Sequence, residues 1–159
     1  MAVRASRTLH HPWIVAPDSP VAFAAYLQRL AREDNDGRLI CLRQTGDLVG
    51  VINLNNIIRG AFQNAFLGYY AFAPFAGQGL MREGMELILT YAFRELLLHR
   101  VEANIQPGNR ASLALVKRCG FVQEGFSRRY LQVQGEWCDH ERWALVAEDW
   151  GAAASLLHL

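Results

Sequence analysis

The stretch Ala73-Pro74-Phe75-Ala76-Gly77-Gln78-Gly79-Leu80-Met81 joins an aromatic-rich run to a long amphipathic one. Upstream, Ala61 to Ala73 reads as a strand. Downstream, Met81, Met85, Ile88, Leu89, Ala92, Phe93 and Leu96 fall at helical spacing. They predict a helix from Leu80 to Leu98 with a wide buried stripe. Between the two, glycines spaced by one residue let the backbone take positive φ and approach a ligand closely. A helix opening at once behind them presents unpaired amides and partial positive charge, which suits a pyrophosphate. Taken alone, the segment reads equally well as a tight strand-to-helix turn with no ligand. The third glycine and the acidic residue of a Rossmann fingerprint are absent, and so is the lysine of a P-loop.

Working outward, Ser19 or Asp18 can cap a helix that begins at Pro20 and carries Phe23, Tyr26, Leu27 and Leu30. Arg38 to Arg43 and Leu48 to Leu54 read as strands joined by a turn at Thr45-Gly46-Asp47, and Asn55 to Gly60 as a loop. Beyond the long helix, Arg100 to Gln106 is a strand and Pro107-Gly108 a turn. Asn109 caps a helix from Arg110 to Cys119, which Gly120 ends. Two last strands, Phe126 to Val133 and Trp137 to Val146, meet across Gln134-Gly135. This order predicts an α/β (α+β) domain with a mostly antiparallel sheet.

The chain has 159 residues, 52% apolar and 19% charged, which predicts one globular domain over 1–159. A net charge of +1 removes the electrostatic argument for nucleic acid or an acidic membrane surface. Cys41, Cys119 and Cys138 lack metal-ligand spacing and read as reduced thiols, and the five histidines form no ligand set. No run reaches transmembrane length and the first residues have no apolar stretch of signal-peptide type, so the expected location is the cytoplasm.

A second stretch carries chemistry. In Arg100-Val101-Glu102-Ala103-Asn104, Glu102 and Asn104 alternate and so share a face. Asn109 and Ser112 follow at the start of the next helix. Read singly, Glu102 is a solvated strand residue, Asn109 a cap and Ser112 an ordinary first-turn serine.

Together the segments resemble the Gcn5-related N-acetyltransferases (GNAT), and within them the Rim-type enzymes that modify N-termini of ribosomal proteins. The resemblance runs from about Leu9 to Leu145. It is carried by Leu9-His10-His11-Pro12-Trp13, Leu67-Gly68-Tyr69-Tyr70, Gly77-Gln78-Gly79-Leu80-Met81 and His99-Arg100-Val101-Glu102-Ala103-Asn104. Asn109 with Ser112, Cys119-Gly120-Phe121, Glu124-Gly125-Phe126 and Gly135-Glu136-Trp137-Cys138-Asp139-His140 complete it.

The resemblance implies a twisted sheet flanked by helices, whose central strands splay apart to admit acetyl-coenzyme A as co-substrate, with no metal. By that analogy the backbone of Phe72, Ala73 and Pro74 pairs with the pantetheine arm. Amides of Gly77, Gln78, Gly79, Leu80, Met81 and Arg82 hold the pyrophosphate, and Asn109 lies near the pantetheine. Pro74 stands where the family pattern usually has glutamine or arginine. An amide at Phe72 or Ala73 is expected to meet the oxyanion. Glu102 is the expected general base, directly or through water, and Ser112 the general acid. Many relatives carry a tyrosine seven residues after the asparagine; here that position is Val116. Asp139 and His140 form a rival acid–base pair, and of Tyr69 and Tyr70, which alternate faces, at most one can line the cleft.

The implied function is acetylation of a protein N-terminal α-amine, with alanine-bearing ribosomal proteins as the family-level acceptor. The same scaffold serves acetyltransferases of polyamines, aminoglycosides and amino acids, and a non-catalytic acyl-coenzyme A sensor is a further alternative. Relatives usually carry a first strand before the segment matching Ala5 to Trp13. Either that strand lies upstream of Met1 or the sheet lacks it, and an uncovered edge favours a homodimer.

Overall fold

The computed structural model describes residues 2–156, with side chains through Gly151. The chain forms six strands: β1 (Asp36–Cys41), β2 (Leu48–Ile58), β3 (Asn64–Ala71), β4 (Arg100–Ile105), β5 (Val122–Val133) and β6 (Glu136–Val146). They lie in one sheet in the order β1-β2-β3-β4-β6-β5. Every neighbouring pair is antiparallel except β3 and β4.

That exception sets the fold. β3 and β4 run parallel and pair only where Asn64, Ala65 and Phe66 meet Arg100, Val101 and Glu102. Beyond Phe66 and Glu102 the two strands part while each keeps its outer neighbour, β2 or β6. The centre of the sheet therefore opens into a wedge, as expected of splayed central strands.

Helices cover both faces. On one, α4 (Leu80–Thr90) and α5 (Arg110–Arg118) close the core. Met85, Ile88 and Leu89 of α4 and Val116 of α5 bury against Leu54, Leu67, Val101, Ala103, Ile105, Trp143 and Leu145. Alternation sends Arg100, Glu102 and Asn104 to the opposite face. There lie two single-turn helices, α1 (Ala2–Ala5) and α2 (Arg7–His10), and α3 (Pro20–Leu30). The Tyr26 hydroxyl donates to Asn53 Oδ1 at 2.8 Å, and the His10 ring stands 5.1 Å from that of Tyr70, edge on.

Ser19 caps α3 as its sequence predicts, accepting from the Ala22 amide at 3.2 Å. Asn55 to Ile58 is strand rather than loop. A bulge with Asn56 at φ 50° carries β2 onward, a conformation that asparagine tolerates. The turn falls later, on Gly60 and Gln63 at φ 71° and 43°, so β3 begins at Asn64 instead of Ala61. β5 starts at Val122 rather than Phe126, because two bulges let it stay paired to β6. The long helix ends in a π-type turn, Tyr91–Glu95, with the Leu96 amide reaching the Tyr91 carbonyl at 3.0 Å. A terminal helix, α6 (Ala147–Leu156), was not anticipated; its Trp150 ring sits 5.4 Å from Phe93. Among the described residues β1 is the outer strand on its side and pairs with β2 alone.

Candidate active site

After β3 a single 3-10 turn, Ala73–Phe75, redirects the chain towards α4. Gly77 and Gly79 then stand at φ 75° and 82°. A β-carbon at either would meet nothing within 4 Å, so the requirement for glycine is one of backbone conformation. Among the described residues the amides of Gly77, Gln78 and Gly79 meet no backbone acceptor. Leu80 and Met81 add the unpaired amides of a helix start. Open space, free N–H groups and the positive end of α4 coincide, and they fit a pyrophosphate. Arg82 differs: its amide donates to the Gly79 carbonyl at 2.9 Å and its guanidinium pairs with Glu86 at 3.0 Å.

Phe72, Ala73 and Pro74 have their main-chain groups engaged within the chain. The Phe72 amide donates to the Val49 carbonyl at 2.8 Å and the Ala73 amide to Ser6 Oγ at 2.9 Å. Their carbonyls accept from the Phe75 and Ala76 amides at 3.0 and 3.3 Å, and the Pro74 carbonyl from Gln78 Nε2 at 2.8 Å. Just before them, Leu67 to Ala71 has no strand partner on the β4 side, and the Ala71 carbonyl accepts from His10 Nε2 at 2.8 Å.

The wedge between β3 and β4 encloses a cleft of about 90 Å³. Asn109 and Ser112 line it from α5, Tyr69 and Gly68 from β3, and Asn104 and His140 from β4 and β6. Asn109 keeps its capping role, with Oδ1 accepting from the Ser112 amide at 3.2 Å. The Ser112 hydroxyl lies 2.5 Å from that of Tyr69. Burial pushes the Tyr69 phenol up to about 12, so it stays protonated at neutral pH. The wedge is therefore polarised: hydroxyls of Ser112 and Tyr69 on the α5 side, Asn104 and His140 on the other.

Glu102 sits one alternation before the cleft, opposite Phe66 where β3 and β4 are still paired. Its carboxylate accepts from Arg100 Nε at 2.8 Å, and Arg100 also binds Glu124. Asp139 and His140 do not form a pair. Adjacent strand residues point to opposite faces, and Asp139 Oδ1 accepts from the Arg129 amide at 2.7 Å. His140 alone reaches the cleft, 4% exposed. Sequence reasoning gave no role to Asn104, whose Oδ1 is buried without a partner, although its alternation with Glu102 already placed it on this face.

A wider concavity of about 770 Å³ adjoins the cleft, sharing Ile14 with it. Val3, Thr8, His11, Val15 and Gln134 form part of its wall. Among the described residues its one carboxylate, Asp18, is bound by Arg7 at 2.6 Å, which holds it below the usual carboxylate range. Among the described residues no group of three or more His, Cys, Asp or Glu gathers to hold a metal ion, and no helix is long and apolar enough to cross a membrane.

Comparison with known proteins places this geometry. Residues 2–122 match the acetyltransferase (GNAT) domain. The chain is 37% identical over 124 residues to a probable N-acetyltransferase, YjcK, of Bacillus subtilis (strain 168), covering 78% of this chain and 68% of that protein. It is 38% identical over 104 residues to the ribosomal protein uS5-alanine N-acetyltransferase of Escherichia coli (strain K12). That match covers 65% of this chain and 54% of the relative, so the chain spans only about half of it. Mycobacterium smegmatis RimJ, solved in complex with CoA-disulfide, superposes with a TM-score of 0.80 at 28% identity, over 91% of this chain and 74% of that one. Splayed sheet, glycine turn and sequence agree: the chain belongs to the GNAT acetyltransferase family.

Proposed function

We propose that the protein transfers an acetyl group from acetyl-coenzyme A to the α-amine of a protein N-terminus, an alanine terminus of a ribosomal protein being the favoured acceptor. Residues 77–81 would cradle the pyrophosphate, the free β3 edge and Asn109 would align the pantetheine, and the thioester would lie in the wedge beside Ser112. Positioning amine against thioester accounts for much of the acceleration in such a site. Ser112 is the proton donor proposed for the leaving thiolate. The acceptor amine would arrive from the face of α2 and α3, on which His140 lines the cleft and Glu102 lies short of it, bound by Arg100.

The observation that carries this reading is that, among the described residues, no carboxylate lines the cleft, and the concavity joined to it through Ile14 has a single, paired one. A polyamine or aminoglycoside would bring several positive charges to a place with no free negative charge to receive them. An α-amine suits it better. At pH 7 roughly a tenth of an α-amine of pKa ~8 is uncharged, against roughly one lysine ε-amine in 2,500. The resemblance to an alanine N-acetyltransferase points the same way.

The test is mass spectrometry of three peptides incubated with protein and acetyl-coenzyme A. One has a free N-terminal alanine, one a blocked terminus with an internal lysine, and one neither amine. A gain of one acetyl on the first alone is expected. Gain on the lysine peptide, or none on any peptide with transfer to spermidine, would overturn the α-amine assignment.

A further inference from the structure

The acceptor face of the wedge holds a proton acceptor better placed than Glu102. We infer that His140 Nε2 takes the proton from the attacking amine, with Asn104 Oδ1 holding a second N–H of the same nitrogen. This inference rests on the amine-acetylating function proposed above.

The tautomer follows from one contact. His140 Nδ1 lies 2.9 Å from the Cys138 carbonyl oxygen. A carbonyl only accepts, so Nδ1 carries the hydrogen, and the lone pair of the neutral ring is left on Nε2. Among the described residues nothing hydrogen-bonds to that nitrogen, and the ring lines the cleft. Asn104 lines the same cleft, and its Oδ1 is buried with no donor. A buried acceptor without a donor is costly, and the cost is relieved when a ligand brings an N–H. Register brings the two together: Asn104 faces Arg142 across β4 and β6, and His140 is the next residue along β6 on that face. Two acceptors on one face of a site with no carboxylate match a primary amine, which has N–H groups for both and needs a base for one.

Glu102 is the weaker candidate on the same geometry. Arg100 binds it and Glu124 together, so its Oε1 is already taken by a guanidinium. Its register position lies where β3 and β4 are still joined, short of the cleft lining.

The step balances as follows. The amine nitrogen bonds to the thioester carbon and the carbon–sulfur bond breaks. One nitrogen-bound proton passes to His140 Nε2, and the departing sulfur takes the Ser112 hydroxyl proton. Solvent then restores the proton of Ser112 and removes that of the imidazolium, leaving amide and free thiol.

The experiment compares His140→Asn, His140→Gln and Glu102→Gln with the unchanged protein, using the alanine peptide as acceptor. Asparagine can still donate to the Cys138 carbonyl but offers no base. For His140→Asn, kcat should fall roughly 100-fold or more, with acetyl-coenzyme A affinity held within about twofold. Glu102→Gln should stay within about threefold. In His140→Ala, added imidazoles should restore turnover in the order of their basicity, which a purely structural histidine would not give. Undiminished turnover in His140→Asn or His140→Gln overturns the inference. So does a 100-fold loss in Glu102→Gln with affinity kept, a result that remains informative if the histidine variants fail to fold. An unchanged protein that acetylates no amine overturns the function and this inference together; one that acetylates while His140→Asn loses nothing overturns the inference alone.

Discussion

Val116 stands where many GNAT enzymes carry a tyrosine, and its side chain is fully buried in the core. The wedge nevertheless contains a phenol, delivered from β3 rather than α5. Tyr69 and Ser112 lie 2.5 Å apart, and among the described residues the phenol has no other hydrogen-bond partner. Either hydroxyl can donate in this bond; with Tyr69 as the donor, the serine hydrogen is left free for the cleft. On the role proposed for Ser112, Tyr69 is a positioning residue for it. Removing its hydroxyl withdraws one hydrogen bond, about 1 kcal/mol or about fivefold in rate. Steady-state kinetics of Tyr69→Phe should show kcat down by about that factor with KM for acetyl-coenzyme A unchanged. Adding Tyr69→Phe to Ser112→Ala should cost nothing more. A further fivefold loss in the double variant would show that Tyr69 acts independently of the serine.

At the scale of elements, the glycine turn separates conformation from packing. Gly79 caps α4 in the left-handed region with empty space where a β-carbon would go. Gly50 is confined instead: a β-carbon there would lie 2.6 Å from the Tyr70 carbonyl and 2.5 Å from Met81 Sδ. Gly79→Ala should therefore lower stability by only about 1 kcal/mol, the cost of a left-handed alanine, while weakening acetyl-coenzyme A binding tenfold or more as the amides turn away. Gly50→Ala should do the reverse, with a loss of about 1–3 kcal/mol from overpacking and affinity changed less. Urea denaturation and calorimetric titration of both variants check the contrast; equal affinity losses would sink it. The turn was legible because glycine spacing reports backbone conformation directly. Asn55 to Ile58 misled because two asparagines resemble a loop, whereas a bulge absorbs one of them. The capping by Asn109 was legible from helix-start chemistry, whereas the place of Asn109 and Ser112 in the site followed only from the family resemblance. His140 beside Asn104 was not, since the two meet only through the β4–β6 register, a long-range pairing that no local pattern encodes. The engagement of the Ala73 amide by Ser6 was hidden for the same reason, sixty-seven residues apart in the chain.

Across the whole molecule, charge bears on two properties. The open edge strand β1 carries the Asp36–Arg38 ion pair at 2.7 Å, and Arg38 also covers the Tyr91 ring at 4.3 Å. Charged side chains of this kind oppose the addition of another strand, which weakens the argument for edge-to-edge dimers. The second property is a stability limit at alkaline pH. Burial pushes Tyr69 and Tyr70 up to about 12 and Cys119 up to about 11. In the unfolded chain these groups lose their protons near 10 and 8.5. For a raised folded-state pKa the stabilisation is complete below the unfolded value and vanishes as pH climbs through the folded one. Between about pH 9 and 12 the unfolded state thus binds fewer protons, and stability falls with pH. Each group contributes at most about 1.4 kcal/mol per pH unit, and partial exposure reduces that for Tyr70 and Cys119. Urea midpoints should stay level from pH 7 to 8.5 and then drop, and Tyr70→Phe should flatten part of the drop above pH 10. A midpoint constant to pH 11 would mean that these hydroxyls and the thiol meet water in the folded protein, and that the α5 side of the wedge is wetter than its packing indicates.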